Sequence, residues 1–358
     1  MPLDGLLRAR DLVDHDRPDA RREHGLGRHG RRRAFVRLVH FRTFGNPGVD
    51  GFVELILPQP GIFAQGTAAH FFLEFDLKRE VTLERALDSF RRLRSPEVSA
   101  GGVNLVIGFS SRVWRTVAKG QSPKSLAEFR EFVGTDGHRA PATQHDVWLW
   151  ISGGGPDVVW DHAMAAVELV RDVANVASEQ AGFSYNGGRD MTGFIDGTAN
   201  PPLLRAATVA LVPGGEPGEG GSHVLAMRWV HDLLAFHQLR VEDQERVIGR
   251  RKSDSVELSE AEKPPTAHIS RVQVEVDGTE LEIFRRSVPY GNVKEHGLYF
   301  VAFSADPSRF DRMLAKMFGV SGDGVRDRLT DYSRPVSGAY YFVPSQNSLR
   351  ELAGPEES

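Results

Sequence analysis

Beyond Gln59 the hydrophobic and polar positions fall into regular periods, and the succession of periods runs twice along the chain. Leu73, Phe75 and Leu77 alternate with Glu74 and Asp76, which predicts a half-buried strand. Leu83, Ala86, Leu87, Phe90 and Leu93 then recur at helical spacing, and Pro96 closes that segment. Strand-like runs follow at Val103–Phe109 and Val147–Ser152, and Val167, Val170, Val173, Ala174 and Ala177 share a face of a second helix.

The second passage opens with a strand at Val224–Val230 and a short helix at Glu242–Ile248, stopped by Gly249. Ile269–Val276 reads as a strand, and Asp277-Gly278 turns it into a partner at Leu281–Val288. Leu298–Phe303 is a further strand. Phe310, Met313, Leu314, Met317 and Phe318 mark one face of a helix before a last strand at Tyr340–Val343. Two α+β halves with antiparallel sheets, ferredoxin-like in connectivity, are the expected architecture. The Gly/Pro-rich stretch Pro213–Gly221 between them is a linker or an exposed loop.

Composition then narrows the class. With 40% hydrophobic and 26% charged residues and a net charge of -4, the chain belongs with soluble globular proteins. No apolar run approaches the ~18 residues of a membrane span. No basic stripe suited to nucleic acid appears beyond the first fifty residues. Cysteine is absent, which removes disulfides, thiolate nucleophiles, Cys-ligated zinc, iron–sulfur clusters and covalent C-x-x-C-H haem attachment together. Any haem must be non-covalent and held by His, Tyr or Met.

The N-terminus differs from the rest. Met1–Arg42 contains eleven Arg, no Lys and no sustained period, and reads as a disordered or artefactual extension. Arg32-Arg33-Ala34-Phe35-Val36-Arg37 resembles a twin-arginine export signal, but His40, Arg42 and Asn46 stand where an apolar stretch is required. The expected location is therefore cytoplasmic.

Three segments carry candidate chemistry. In Gly193-Phe194-Ile195-Asp196-Gly197-Thr198-Ala199-Asn200-Pro201-Pro202, an aspartate sits between glycines and runs into two prolines, which describes a rigid turn, either an Asx-type turn or a functional loop. Arg285 and Ser287 share one face of a predicted strand while Arg286 points the other way, so one arginine can be buried and the other solvated. His268 enters a predicted strand after a Pro-Pro break and is one of thirteen histidines, available as a ligand or as an ordinary core residue.

Together, Gly193-x-x-Asp196-Gly197-Thr198, His268, Arg285-x-Ser287-x-Pro289-Tyr290-Gly291 and Gly338-Ala339-Tyr340-Tyr341-Phe342-Val343-Pro344-Ser345 resemble the dye-decolorizing peroxidase family, its class B branch in particular. The resemblance spans roughly Gln59 to Ser345. It implies a dimeric α+β barrel of the chlorite dismutase-like superfamily. Its expected segments are a basic extension (1–58), a half carrying the Asp loop (59–205), a haem-binding half (206–345) and a short tail (346–358). It further implies one non-covalent haem b per chain with His268 as proximal iron ligand. Asp196, Arg285 and Ser287 are then the catalytic groups, and Gly193, Gly197, Thr198 and Asp327 complete the cofactor site. Asp331 is the second candidate for the proximal acid, and Ala199 departs from the acidic residue many class B sequences carry there.

The chemistry implied by the resemblance is reduction of hydrogen peroxide through a ferryl intermediate, followed by one-electron oxidation of phenolic or dye-like donors. A carboxylate suits the proton shuttle, and a permanently charged guanidinium suits the negative charge on the departing oxygen. The expected partners are peroxide, a small-molecule reductant and further copies of the chain, as a dimer or hexamer; neither nucleic acid nor membrane is expected. The tail carries no clear signal for packaging in a nanocompartment. A haem-handling protein without turnover is the alternative, and a chlorite-dismutase-like activity a third. Tyr340, Tyr341 and Trp148 read first as core aromatics, although such residues can relay electrons.

Overall fold

The computed structural model describes residues 55–93, 102–118, 120–134 and 136–351. The arginine-rich extension, Pro96 and the end of the tail lie outside these residues.

In the first half the chain forms β1 (Ala69–Leu77), α1 (Leu83–Arg91), β2 (Asn104–Phe109), α2 (Ser111–Val117), a small hairpin of β3 (Phe132–Val133) and β4 (Arg139–Ala140), then β5 (Val147–Gly153), α3 (Pro156–Val170) and β6 (Ala174–Phe183). Next come α4 (Leu203–Ala210), β7 (Ser222–His231), α5 (Leu233–Gln238), α6 (Val241–Ile248) and α7 (His268–Val272). A two-residue turn joins β8 (Glu275–Val276) to β9 (Thr279–Glu280), ahead of β10 (Phe284–Arg285), β11 (Val288–Gly291), β12 (His296–Ser304), α8 (Ser308–Met317), β13 (Ser333–Pro335), β14 (Ala339–Val343) and α9 (Gln346–Glu351).

The fold is α+β, built on a large antiparallel sheet in the order β10-β12-β7-β14-β2-β5-β1-β6. Strands from the two halves join where Phe342 of β14 pairs with Phe109 of β2. The sheet curls until its far ends approach. A Cβ on Gly182 of β6 would lie 2.7 Å from Val288 Cγ2 and 3.2 Å from the Pro289 carbonyl of β11, so glycine permits that closeness. Phe72, Trp148, Trp150, Tyr299, Phe303 and Tyr341 fill the inner side. Helices α1 and α3 cover the outer face of the first half, and α8 covers Leu225, Met227 and Trp229 of β7.

Four expectations are corrected. The β1 alternation predicted a polar solvent face, yet Glu74 is buried and accepts a hydrogen bond from Tyr341 Oη at 2.7 Å, because both faces of β1 are covered. Burial raises the Glu74 carboxyl above its usual range, against the hydrogen bond from Tyr341. The second helix ends at Val170, and Ala174 and Ala177 belong to β6, whose pairing with β1 outweighs their helical spacing. Ile269–Val272 is helical, because Ile269 and Val272 sit three apart and pack toward α8 while buried Arg271 binds Asp323 at 2.8 Å. The run at Leu281–Val288 breaks after Arg285 and resumes at Val288. At the break Arg286 N donates to the Val301 carbonyl, and Val301 N donates to Ser287 Oγ at 3.2 Å, so a side chain takes over one rung of the ladder.

Pro213–Gly221 is a loop between α4 and β7, tied at its neck by Val212 N to the Gly221 carbonyl at 2.8 Å and Gly220 N to the Val212 carbonyl at 3.1 Å. Asp277 and Gly278 both have positive φ, 52° and 75°, as the hairpin turn requires.

Candidate active site

A cavity of about 200 Å³ lies between the outer face of β7 and β12 and helices α7 and α8. Period-2 alternation aims Leu225, Met227 and Trp229 into it from β7, and Leu298 and Phe300 from β12. Helical spacing aims Phe310, Met313, Leu314 and Met317 from α8. Polar groups from α7, the Asp loop and β10 join these apolar walls.

His268 comes from the first turn of α7 and lines the cavity. Its Nδ1 lies 2.6 Å from Asp327 Oδ2, and Asp327 is fully buried behind it. With the Asp327 carboxylate as acceptor Nδ1 is the donor, and in the neutral imidazole Nε2 then keeps its lone pair. Nε2 has no hydrogen-bond partner among the described residues. Asp327 is held in turn by donation from Leu329 N to its Oδ1 at 2.8 Å, and Arg328 N donates to the Thr266 carbonyl, tying this turn to the His268 segment. Asp331 bonds Arg326 at 2.7 Å.

The second contributor is the Asp loop. Asp190 N donates to the Phe194 carbonyl and Asp196 N to the Gly188 carbonyl, at 2.8 and 3.0 Å, so the loop folds back on itself. Gly193, at φ 90°, makes the turn, and a Cβ there would lie 2.6 Å from Lys252 Cε. Asp196, Thr198 and Ala199 line the cavity, whereas Gly193 and Gly197 shape the loop without lining it. Arg285, from β10, completes the group with Nη1 at 3.8 Å from Asp196 Oδ1. Ser287 does not share this lining, because the strand break commits its Oγ to the Val301 amide.

Several contributors escaped the sequence reading. Asn200 Nδ2 donates to the Arg285 carbonyl at 2.9 Å and its Oδ1 accepts from Arg285 N at 2.8 Å. Asp190, His231 and Ser333 also line the cavity: His231 Nδ1 lies 2.8 Å from Ser333 Oγ, and its Nε2 3.2 Å from Asp190 Oδ1. Burial opposes ionisation of Asp190, yet His231 and Thr192 together hold its carboxyl below the usual carboxylate range. Arg250 lines the cavity too, with Nε buried and without a partner among the described residues. Asn200 stands inside the quoted Asp motif, and its short amide is a known clamp for backbone; His231 and Ser333 carried no local signal.

Residues 59–184 match the family model for the N-terminal part of Dyp-type peroxidases, and residues 187–348 match the one for the C-terminal part. The chain belongs to the Dyp-type peroxidase family. It is 34% identical over 303 residues to a dye-decolorizing peroxidase of Rhodococcus erythropolis, covering 82% of this chain and 88% of that one. A dye-decolorizing peroxidase of Mycobacterium tuberculosis is likewise 34% identical over 312 residues, covering 83% and 91%. Among solved Dyp-type structures, a putative peroxidase from Shewanella oneidensis superposes with a TM-score of 0.79 at 28% identity, over 83% of this chain and 99% of that one. A DypB variant of Rhodococcus jostii RHA1 in complex with heme superposes with a TM-score of 0.73 at 30% identity, over 79% and 95%.

Proposed function

We propose that this haem peroxidase reduces hydrogen peroxide in the cavity between α7, α8 and the Asp loop, with one non-covalent haem b held through His268. The observation that carries the assignment is the pairing of His268 Nδ1 with buried Asp327, beside a cavity that Asp196 and Arg285 also line. The residues fit such a group: apolar walls suit a planar macrocycle, and the unpartnered Arg250 Nε suits its acidic arms. When bound, haem supplies the redox-active iron on which peroxide is reduced.

The chain's own contributions follow from geometry. Asp327 fixes the His268 tautomer and makes the imidazole a stronger donor. Asp196 takes a proton from one peroxide oxygen and returns it to the other. Arg285, 3.8 Å from Asp196, offers a permanent positive charge to the oxygen that departs as water. Ser287 positions rather than contacts, by fixing the strand break beyond Arg285. Thr198 closes the loop side of the cavity, with Gly193 and Gly197 giving the loop its turns. The peroxidase works in the cytoplasm as a homo-oligomer, a dimer or hexamer, with a small-molecule reductant.

The test is stopped-flow absorbance of the haem-loaded protein mixed with peroxide. Asp196→Ala and Arg285→Ala should slow the change of the Soret band by roughly 10²-fold or more, and His268→Ala should lose haem. A protein that binds haem through His268 but bleaches slowly and alike in every variant is a haem carrier instead.

A further inference from the structure

Arg285 lines the cavity, whereas its neighbour Arg286 points to the other side of the sheet, toward the aromatic cluster of the inner side. Its Cζ lies 5.5 Å from the centre of the Trp150 ring. The half-buried side chain has no hydrogen-bond or ion-pair partner among the described residues. Burial alone, with no carboxylate opposing it, pulls the guanidinium down to about 10. A cation withdrawn from water without a counter-charge is costly to the fold.

His70 presents a matching group at the same ring. It is 3% exposed, and its imidazole lies nearly parallel to Phe72 and Trp150. Trp150 Nε1 can only donate and lies 3.2 Å from His70 Nδ1, so Nδ1 accepts and the neutral ring carries its proton on Nε2. Burial, aided by the charge of Arg286, pulls the imidazole down to about 4 against the Thr67 backbone, which keeps the ring neutral at ordinary pH. Nε2 is buried and has no hydrogen-bond partner among the described residues. Glu74, the buried acid of the same strand, is bonded to Tyr341. Two unsatisfied donors therefore meet at Trp150, close enough for the charge of one to act on the other.

The topology gives this meeting a purpose. His70 lies on β1 and Trp150 on β5, near one end of the sheet order, while Arg286 follows β10 at the opposite end. A ligand shared by His70 and Arg286 bridges the two ends of the curled sheet, which also approach each other at Gly182 and Val288.

We propose that His70 Nε2 and the Arg286 guanidinium bind one small monovalent anion of halide size, and that this anion staples the closing ends of the sheet. Both groups donate and neither accepts, which selects an anion. Phe72 and Phe303 pack on Trp150 with ring centres 6.0 and 6.2 Å away, which favours a compact ion over an organic acid. The site lies apart from the peroxide cavity, and the inference does not depend on the reaction there.

The experiment is thermal unfolding of the haem-loaded protein, peroxide absent, in sodium bromide exchanged for sodium gluconate at constant ionic strength. Wild type should show a saturable rise in midpoint, about 2–4 °C once bromide reaches roughly tenfold its dissociation constant. Arg286→Gln and His70→Phe should lose that rise, and without bromide Arg286→Gln should be at least as stable as wild type, because an unpaired cation has been removed. No rise in wild type, or an equal rise in all three proteins, overturns the proposal. So does bromide that acts on the Soret band alone, which places it on the haem iron. Wild-type crystals soaked in bromide give a test that needs no variant. An anomalous peak within hydrogen-bonding reach of His70 Nε2 and Arg286 is expected, and ordered water there without anomalous signal overturns the site.

Discussion

Asn200 bonds both the amide and the carbonyl of Arg285, at 2.8 and 2.9 Å, standing in for a neighbouring strand. One side chain thereby fixes the distance between the loop that bears Asp196 and the strand that bears Arg285, two segments some ninety residues apart in sequence. The pair of groups assigned to peroxide cleavage is held by a residue that touches neither reacting carboxylate nor guanidinium.

Asn200→Ala should therefore keep haem and slow the reaction with peroxide. Two hydrogen bonds to half-buried backbone are lost, which costs about 1–3 kcal/mol of local order, and misplacing catalytic groups by about 1 Å costs on the order of 10²-fold in rate. Soret absorbance at rest and its rate of change after mixing with peroxide read the two effects separately. Loss of haem together with rate would show that the clamp holds the whole cavity instead.

Asp327→Asn tests the proximal side. An amide cannot serve His268 Nδ1–H as a carboxylate does, so haem affinity or peroxide reactivity should fall roughly 10–100-fold. Asp331→Asn, which disturbs the contact to Arg326, should leave both near wild type. Equal effects from the two variants would move the proximal acid to Asp331.

Two buried histidines make stability fall on acidification. Burial pulls His70 down to about 4, aided by Arg286, and pulls His223 down to about 4 against Asp306. An unfolded histidine titrates near 6.5. Between those values the unfolded chain binds protons that the folded chain refuses, so the stability present above about pH 6.5 drains away as pH falls toward 4, roughly 3 kcal/mol for each histidine. Urea unfolding at pH 7 and pH 5 measures the slope. His223→Gln should reduce it by about one proton, and an unchanged slope would mean the site opens to water on acidification.

Glu74 behaves oppositely. Its folded carboxyl titrates above the usual range, so the unfolded chain sheds its proton first and stability declines as pH rises from about 4.5 toward the folded value. Glu74→Gln keeps an acceptor for the Tyr341 hydroxyl at neutral cost of burial. The variant should be as stable as wild type or more so at pH 8, by equilibrium unfolding, with the difference vanishing near pH 4. A variant markedly less stable at pH 8 would show that an ionised Glu74 is held by contacts that amide replacement breaks.

The sequence by itself determined the family, the α+β class and most strand positions, and it singled out His268, Asp196 and Arg285, which line one cavity. Those features rest on local signals: period-2 runs at Val224–Val230 and Leu298–Phe303, the Gly249 stop, the Asp277-Gly278 turn, and motifs whose residue types match one chemistry. Tertiary structure decided everything that depends on what lies opposite. Ile269–Val272 is helical because α8 and Asp323 receive its side chains, and Glu74 is buried because the sheet curls around it. Ser287 turned from the cavity because the strand breaks at Arg286, a hydrogen-bonding choice made with β12. The contacts of His231 with Asp190 and Ser333 join three segments more than forty residues apart. Spacing along a chain carries no record of such meetings, because long-range contact is fixed by packing and pairing rather than by local period.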